Sequence, residues 1–384
     1  MVTGIYPLSS GLSTENFFKF LRPGTGVPAG RITKYFDISK PVGHGLITPM
    51  KIIGISSFSR RGMALGNIVP LFILSAIFTL QGQGDDPYTL QPAPPLVGRW
   101  DLSIENADGT RFPSWLEIHQ SGYRTLVGNY VGQFGSVRPI GKVLFNERRG
   151  MFRFTLPPQW ERRTDDISFQ GRLEGDKLNG MTTNENGDRI YWTAVRAPKL
   201  ERPAAVEWGK PIELFNGTSL EGWHTRHKDL PNGWVVENGL LSNATPGNDL
   251  ITDNKFMDFK LEVEFKYPEG SNSGLYLRGR YEVQIEDNHG MEATSHRIGG
   301  VYGFLTPRVN ASKPAGQWQK AEVTLVGRVV TVVLNGEPVI ERQIIPGITG
   351  GALDSDEGEP GPIMVQGDHG PVQFRKITLT PAKE

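Results

Sequence analysis

The chain of 384 residues contains no Cys, 47 Gly, 28 Pro, and equal numbers (41 each) of basic and acidic residues. The absence of Cys excludes disulfides, thiolate metal sites and cysteine nucleophiles. Residues 1–84 hold eight of the basic residues and two of the acidic ones, so the remainder carries a formal charge of −6. This mildly acidic remainder argues against nucleic acid or an anionic membrane as the main partner. The composition favours many short strands joined by turns, and the length predicts two domains.

The first two segments of the chain are not expected to belong to a folded domain. Residues 1–49 lack a clean hydrophobic period and are rich in Gly, Pro and Ser. Residues 50–84 have the order of a secretory signal peptide, with basic residues, an apolar run over 68–80, and a small-residue end at Gly-Gln-Gly. Because a signal peptide should begin a chain, we expect translation to start at Met50. Residues 1–49 would then be a start-site artefact or a disordered segment.

The predicted signal peptide indicates a periplasmic or secreted protein. A Sec-type signal is favoured, and Ser59-Arg60-Arg61 leaves a twin-arginine signal as the alternative. The apolar run is too short to span a bilayer comfortably, so no stable membrane span is expected after cleavage. An uncleaved anchor is the other interpretation of this segment.

Residues 93–199 are predicted to form a small antiparallel β-barrel. Segments such as "GRWDLSIE", "RTLVGNYVG" and "RIYWTAVRA" alternate apolar and polar residues, with turn residues between them. Closing seven or eight such strands into a barrel removes the exposed edges. This region resembles the lipocalin-like barrels that precede sugar-active domains in exported bacterial proteins, which implies a binding or positioning module.

Four Trp residues of the barrel region have two interpretations. They could line a ligand cavity or fill the barrel, and filling is favoured because aromatic residues are so often core residues; they are Trp100, Trp115, Trp160 and Trp192. The loop that holds Trp160, Glu161 and Arg162 could also reach a neighbour or a ligand.

Residues 208–384, which follow a linker rich in Pro and charge, are predicted to form a β-sandwich. "FKLEVEFKY" alternates apolar and charged residues, as does a half-buried strand, and "VVTVVLNGEPVI" is a hairpin that turns at Asn-Gly. With no long helical pattern, two stacked antiparallel sheets are expected. The acidic stretch "SDEGEPG" over 355–361 is predicted to be a solvated turn rather than a calcium loop.

Two places in this region carry candidate chemistry. In "YEVQIED", alternation places Tyr281, Val283 and Ile285 on one face and Glu282, Gln284 and Glu286 on the other. A polar sheet face could bind a ligand or simply face water. His369 stands between Gly367 and Gly370 in "QGDHG", where it could be a base, a metal ligand or a turn residue.

Motifs in order over about 211–381 resemble the 3-keto-disaccharide hydrolase family. The most telling are "ELFNGTSLEGWH", "DFKLEVEFKYPEGSNSGLYLRG", "YEVQIEDN" and "VQGDHGPVQFRKITL". The resemblance implies a concanavalin-like jelly roll and cleavage of a carbohydrate substrate already oxidised to a ketone at C3. The stretch "TPGNDLITDNKF" departs from the family, whose members usually have more Gly here, and this puts one rim of the site in doubt.

The predicted chemistry starts from the ketone, which acidifies the hydrogen on C2. A base can remove that hydrogen, and the substituent on C1 can then leave. We predict catalytic roles for Glu282 and His369, as an acid/base pair, and for Asp287. Predicted substrate-binding residues are Arg278, Arg280, Gln284, Tyr302, Lys313 and Asn272.

A bound divalent metal ion is a hypothesis, and no other cofactor is predicted. Glu282, Asp287 and His369 could together hold a divalent ion, although their spacing is no metal signature. No GxGxxG before a helix, Walker loop, GxSxG elbow or HExxH motif supports another class of enzyme.

Two other functions stay open at this point. The first alternative is a non-catalytic carbohydrate-binding protein with a lectin-like sandwich, because jelly rolls host both roles. In the second, the barrel holds an apolar ligand and the sandwich is its scaffold. The favoured interpretation is an all-β exported hydrolase or lyase, with a small barrel followed by a jelly-roll sandwich.

Overall fold

The computed structural model describes residues 92–106, 108–202 and 205–383. These residues belong to one compact unit. The predicted signal peptide and residues 1–49 lie outside them. Within the described ranges, no helix combines the length and apolar character needed to cross a membrane.

The first part of the described chain is a closed antiparallel barrel of eight strands. Each strand pairs with the next, and the last pairs with the first. A short 3-10 turn at Glu147–Arg149 joins the fourth and fifth strands. The strands are β1 Gly98–Glu105, β2 Arg111–Ser121, β3 Thr125–Val131, β4 Arg138–Asn146, β5 Met151–Leu156, β6 Ile167–Glu174, β7 Lys177–Thr183 and β8 Arg189–Arg196.

The barrel interior is filled by one face of each strand. In β5, Phe152, Phe154 and Leu156 are buried while the residues between them are exposed. Trp100 and Trp192 are also buried in this core, so for these two residues the filling interpretation holds. Trp115 and Trp160 lie elsewhere, as described below.

The second part is a sandwich of two antiparallel sheets. Its strands are β9 Ile212–Phe215, β10 Trp223–Thr225, β11 Trp234–Glu237, β12 Leu240–Asn243, β13 Leu250–Thr252, β14 Phe259–Lys266, β15 Asn272–Leu277, β16 Tyr281–Glu286, β17 Gln319–Val326, β18 Val329–Leu334, β19 Glu337–Ile344, β20 Met364–Val365 and β21 Val372–Pro381. One sheet has five strands in the order β10-β13-β20-β15-β16; the other has the order β11-β12-β21-β14-β17-β18-β19, with β9 paired to β21. The predicted fold class, a small barrel followed by a jelly-roll sandwich, is confirmed.

The core between the two sheets decides which face of the five-stranded sheet is left for a site. Strand β14 buries alternate residues from Phe259 to Phe265 in this core. Strand β16 contributes Tyr281, Val283 and Ile285 to the same core. Because side chains alternate across a strand, the residues between them point to the opposite face of the sheet.

The barrel packs against loops of the sandwich. Trp115 on β2 belongs to the sandwich core and meets Phe304 edge-to-face, with 5.4 Å between ring centroids. Gly347 lies against the Trp115 indole, and a Cβ there would come within 2.2 Å of ring atom Cε2. Further contacts join the Ser136 hydroxyl to Nε2 of His296 at 2.8 Å. The barrel therefore borders the outer face of the five-stranded sheet.

Candidate active site

A pocket of about 440 Å³ lies on the outer face of the five-stranded sheet, and one of its sides is formed by the barrel. Phe134, Gly135 and Trp160 line it from the barrel, and the backbone of Gly350 and Gly351 forms another part of the wall. The side chains that line it from the sandwich are nearly all polar: Arg226, Asp249, Asn272, Tyr276, Glu282, Gln284, Tyr302, Gln366, Asp368 and His369.

The β15–β16 hairpin places the central residues of the pocket. Its register pairs Leu277 with Tyr281 and Tyr276 with Glu282. The turn takes left-handed backbone at Arg278 (φ 54°) and Gly279 (φ 65°). Since directly opposed residues share a face, Tyr276 and Glu282 lie side by side on the pocket side of the sheet.

Glu282 is buried at the pocket, and its carboxyl lies against Gly274 and Tyr276 of the neighbouring strand β15. Its Oε2 lies 3.1 Å from the Tyr276 hydroxyl, which is also 2.9 Å from the carbonyl oxygen of Gly350. The carboxyl fits because residue 274 is Gly: a Cβ there would come within 2.4 Å of Glu282 Oε1. Burial raises the pKa of Glu282 to about 8, although the Tyr276 hydroxyl and the charge of His369 act in the opposite direction. Glu282 can therefore exchange a proton near neutral pH.

Two amides continue this face of the sheet. The Gln284 amide satisfies its surroundings when its nitrogen donates to Glu282 Oε1 (3.1 Å) and its oxygen accepts from Asn272 Nδ2 (3.2 Å). Gln284 thereby fixes the position of the Glu282 carboxyl. The predicted polar face of β16 is thus buried beside the pocket rather than solvated.

His369 forms the second titratable centre, together with Asp368. Its Nδ1 lies 2.5 Å from Asp368 Oδ1, and both side chains are about half exposed. This hydrogen bond raises the pKa of His369 against the effect of burial. Burial by itself would raise the pKa of Asp368, but the hydrogen bond with His369 and the charge of His369 lower it below its usual value. The pair therefore favours an imidazolium beside a carboxylate.

The glycines that flank this pair have a packing role. A Cβ on Gly370 would come within 2.6 Å of the Ser271 hydroxyl, and one on Gly367 within 2.3 Å of the Asn248 carbonyl oxygen. Neither has a positive φ. The loop needs Gly because neighbouring backbone approaches closely.

An ion pair between a partly exposed arginine and a buried aspartate forms a further side of the pocket. Arg226 donates to Asp249 Oδ2 at 3.2 Å and to the carbonyl oxygen of Gly351 at 3.0 Å. Asp249 Oδ1 accepts from the backbone N–H of Gly367 at 3.0 Å. Burial and the nearby charge of Asp368 raise the pKa of Asp249.

Two pocket residues are suited to hold hydroxyl groups. Gln366 is buried, and its Oε1 has no hydrogen-bond partner among the described residues. Such an orphan acceptor is costly unless a ligand donates to it. Tyr302 is partly buried and packs edge-to-face on His296, with 5.0 Å between ring centroids.

The structure separates the predicted site residues into two groups. Five lie together at the pocket: Asn272, Glu282, Gln284, Tyr302 and His369. Four do not line it: Arg278, Arg280, Asp287 and Lys313.

The two arginines are bound elsewhere because they occupy the hairpin turn, beyond the paired part of the strands. Arg278 is fully buried, donates to the Gly327 carbonyl oxygen and lies 3.6 Å from Asp258. Arg280 bonds Asp354 at 2.5 Å and the Glu359 carbonyl oxygen at 2.7 Å. These contacts hold both arginines away from the pocket that gathers the other predicted residues.

Asp287 and Lys313 also have local structural contacts. Asp287 follows the end of β16 and accepts from the backbone N–H of Gly270 at 2.9 Å. Lys313 is exposed and donates to the Trp318 carbonyl oxygen at 3.2 Å. Among the described residues, no group of three His, Cys, Asp or Glu side chains could hold a metal ion. The hypothesised ligand set of Glu282, Asp287 and His369 is therefore not assembled.

Some pocket residues escaped the sequence analysis. Tyr276 could have been found from the hairpin register, and Asp368 from its place beside His369. Asp249 lies inside the "TPGNDLITDNKF" stretch, where the chain departs from the resembled family. Arg226 and Phe134 reach the pocket only through long-range packing and have no local signal.

The C-terminal half of the chain is similar to known proteins. Residues 210–380 match the model of the 3-keto-alpha-glucoside-1,2-lyase-like domain. A curated 3-keto-disaccharide hydrolase of Bacteroides thetaiotaomicron is 26% identical over 170 residues, which are 35% of this chain and 58% of that protein. The chain thus spans little more than half the length of this curated relative.

Solved structures of a "putative glycosyl hydrolase" from Parabacteroides distasonis are also similar. One is 25% identical and covers 47% of this chain and 92% of its own, with a TM-score of 0.38. Another is 24% identical and covers 44% and 98%, with a TM-score of 0.36. Residues 210–380 are therefore similar to a 3-keto-alpha-glucoside-1,2-lyase-like domain, and the barrel lies outside the matched residues.

Proposed function

We propose that the protein cleaves 3-keto-glycosides by elimination at C1–C2 followed by hydration. The observation that carries the proposal is the meeting, in one pocket, of a carboxyl whose pKa is about 8 and an Asp-paired histidine. Acid–base catalysis works best with groups whose pKa values lie near the working pH. The matched domain and the name of the curated relative support the substrate class.

In the first step, ionised Glu282 removes the proton on C2. The electron pair forms the C1=C2 double bond, the bond from C1 to the leaving oxygen breaks, and the His369 imidazolium protonates that oxygen. Negative charge develops on the C3 carbonyl oxygen, and Arg226 supplies a positive charge at the pocket to stabilise it.

In the second step, neutral His369 takes a proton from water as the oxygen adds to C1. Protonated Glu282 returns its proton to C2. The products are a 3-keto sugar and an alcohol, and both catalytic groups recover their starting protonation states. Gln366, Asn272 and Gln284 would orient the hydroxyl groups of the ring, because each presents an amide at the pocket.

The decisive test compares two leaving groups on the same 3-keto-glucose. Glu282→Gln should lower kcat by about 100-fold or more on methyl and 4-nitrophenyl 3-keto-glucosides, because both need the C2 proton removed. His369→Asn should be similarly impaired on the methyl glycoside. It should be much less impaired on the nitrophenyl glycoside, because nitrophenolate leaves without a proton.

Lys313→Ala is the control, because Lys313 is exposed and does not line the pocket. It should turn over both substrates like the wild type. If the wild type binds these sugars and cleaves neither, the protein is a carbohydrate-binding protein and the enzymatic proposal fails. If His369→Asn is equally slow on both substrates, His369 is not the acid.

We also propose that the protein is exported to the periplasm or secreted, on the basis of the signal-peptide order of residues 50–84. N-terminal sequencing of the mature protein should give a start near residue 85. A mature chain that retains residues 68–80 would contradict signal cleavage.

A further inference from the structure

The barrel presents two exposed aromatic side chains to the pocket. Phe134 is 47% exposed and Trp160 is 39% exposed. Their ring centroids are 5.3 Å apart, and the rings are nearly perpendicular, at 83°. Both line the pocket opposite the polar side chains of the sandwich. Large aromatic surfaces left open at a pocket commonly mark a site of ligand contact.

The loop that carries Trp160 is held in place before any ligand binds. Arg138 donates two hydrogen bonds to Glu161, at 3.1 and 2.9 Å, in a pair with little solvent exposure. Glu161 Oε2 accepts from the backbone N–H of Trp160 at 3.2 Å. Gln159 Oε1 accepts from the backbone N–H of Ser136 at 2.9 Å, which ties this loop to the one that carries Phe134. A fixed aromatic surface loses little conformational entropy on binding.

A second cavity lies on the other side of Trp160 and of the loop that carries Phe134. It has a volume of about 270 Å³ at one end of the barrel, and Trp160 lines both cavities. Gly132 and Gln133 line the barrel cavity, while Phe134 and Gly135 line the sandwich pocket, so one short loop borders both. The wall of the barrel cavity includes Ile104, Phe112, Tyr130, Ile167, Phe169 and Ile190.

The two sides of the pocket therefore differ in chemistry. The side with Glu282 and His369 offers charged groups and amides, which suit the ketone and hydroxyl groups of a sugar ring. The barrel side offers aromatic rings, and Trp160 also borders the barrel cavity, whose wall mixes apolar side chains with polar ones such as Arg163 and Asn184. An alcohol that leaves from C1 must lie on one side of the ring, and only the barrel side is built for an apolar group.

We propose that Trp160 and Phe134 form the leaving-group subsite and that the preferred substrates carry an apolar group on C1, which lies against Trp160 and extends toward the barrel cavity. This inference rests on the proposed function. It makes the barrel, which the family match does not include, the part of the chain that selects the leaving group.

The test uses two leaving groups of similar acidity and different apolar area. Methyl and cyclohexylmethyl 3-keto-glucosides share the same ring, and both release a primary alkyl alcohol. The wild type should prefer the cyclohexylmethyl substrate. Trp160→Ala should lower kcat/KM about tenfold on that substrate and less than about twofold on the methyl one. Phe134→Ala should change the ratio in the same direction.

Tyr191→Ala is the matched control. Tyr191 is an aromatic residue of the same barrel, 62% exposed, that lines neither cavity, so both rates should stay unchanged. If Trp160→Ala lowers both rates equally, or if the wild type cleaves both substrates without preference, the subsite is refuted while the proposed function stands. If the wild type cleaves neither substrate, both proposals fail.

Discussion

Under the proposed mechanism, Tyr276 would act through the carboxyl that it contacts. Its hydroxyl lies 3.1 Å from Glu282 Oε2, and this contact lowers the pKa of Glu282, whereas burial raises it. A donor that stabilises the ionised form of a carboxyl makes it a stronger acid. Tyr276 is thus a positioning residue that keeps the pKa of Glu282 close to the working pH.

Tyr276→Phe should therefore move the Glu282 limb of the pH–rate profile upward. The wild-type profile of kcat/KM should have one limb near pH 8, where Glu282 changes its protonation. Without the hydroxyl, that limb should shift to higher pH by roughly 0.5 to 1 unit. The measurement is kcat/KM against pH for both proteins.

Tyr302→Phe provides the comparison for this experiment. Tyr302 lines the same pocket, and its backbone N–H donates to the Glu282 carbonyl oxygen at 3.0 Å. Among the described residues, its hydroxyl makes no hydrogen bond to the Glu282 carboxyl, which instead meets the Tyr276 hydroxyl. Removing the Tyr302 hydroxyl can change substrate binding but should leave the Glu282 limb of the pH–rate profile in place. An unmoved limb in Tyr276→Phe would show that this hydroxyl does not tune the carboxyl.

At the scale of elements, strand β2 serves two cores. Leu116 and Ile118 belong to the barrel core, while Trp115 belongs to the core of the sandwich. Alternation along the strand turns the Trp115 indole outward from the barrel, and the sandwich covers it completely. This strand is therefore a structural link between the barrel and the loops at the five-stranded sheet.

Trp115→Ala should destabilise the protein by about 3–5 kcal/mol, the usual cost of emptying a large buried aromatic site. Phe304 and Gly347 lie against the indole and would border the resulting cavity. Urea unfolding measures the loss, and Tyr191→Ala, on the barrel surface, should change the free energy of unfolding by less than about 0.5 kcal/mol. A loss as small as that of the control would mean that this contact does not stabilise the unit.

At the scale of the whole molecule, buried charges lie where the barrel meets the sandwich. Glu357 is fully buried, bonds the Tyr281 hydroxyl at 2.9 Å and pairs with Arg328. The predicted solvated turn over 355–361 was wrong at this residue, because the ion pair draws Glu357 inward. Asp101 on β1 faces the same cluster, and burial together with the charge of Glu357 raises the pKa of Asp101 to about 9.

Asp101→Asn should stabilise the protein increasingly as the pH rises. An aspartate with a folded pKa of about 9 and an ordinary value of 3.8 binds an extra proton in the folded state between these limits. The wild type therefore loses stability as the pH rises through this window, by at most about 1.4 kcal/mol per pH unit. The neutral amide does not titrate and avoids this loss.

The measurement is the free energy of unfolding of both proteins from pH 5 to pH 8. Asp166→Asn, an exposed substitution on the same barrel, should follow the wild-type curve. A difference between Asp101→Asn and the wild type that is independent of pH would contradict a raised pKa at Asp101.

Much of the fold could be predicted because strand patterns are local. The alternation in "YEVQIED" correctly assigned Tyr281, Val283 and Ile285 to the core, and it assigned Glu282 and Gln284 to the other face. A period of two residues survives in any strand with one face against a core, so it can be read without knowing the partner strand.

Nearness in sequence was a poor guide to nearness in the site. Arg278 and Arg280 stand within four residues of Glu282, yet the hairpin turn directs them to Asp258 and Asp354. By contrast, the pocket brings Asp249 and Asp368 to Glu282 from distant loops.

The amino-acid sequence by itself determined the all-β class, the barrel followed by a sandwich, and the faces of the strands, because each depends on short-range periodicity and turn chemistry. Only the tertiary structure decided which loops surround Glu282, that Trp160 faces the pocket, and that Trp115 lies in the core of the sandwich. These outcomes depend on packing between residues more than 100 positions apart, as in the contact between Ser136 and His296. No local pattern encodes such contacts, because they arise from the way complete sheets and loops pack together.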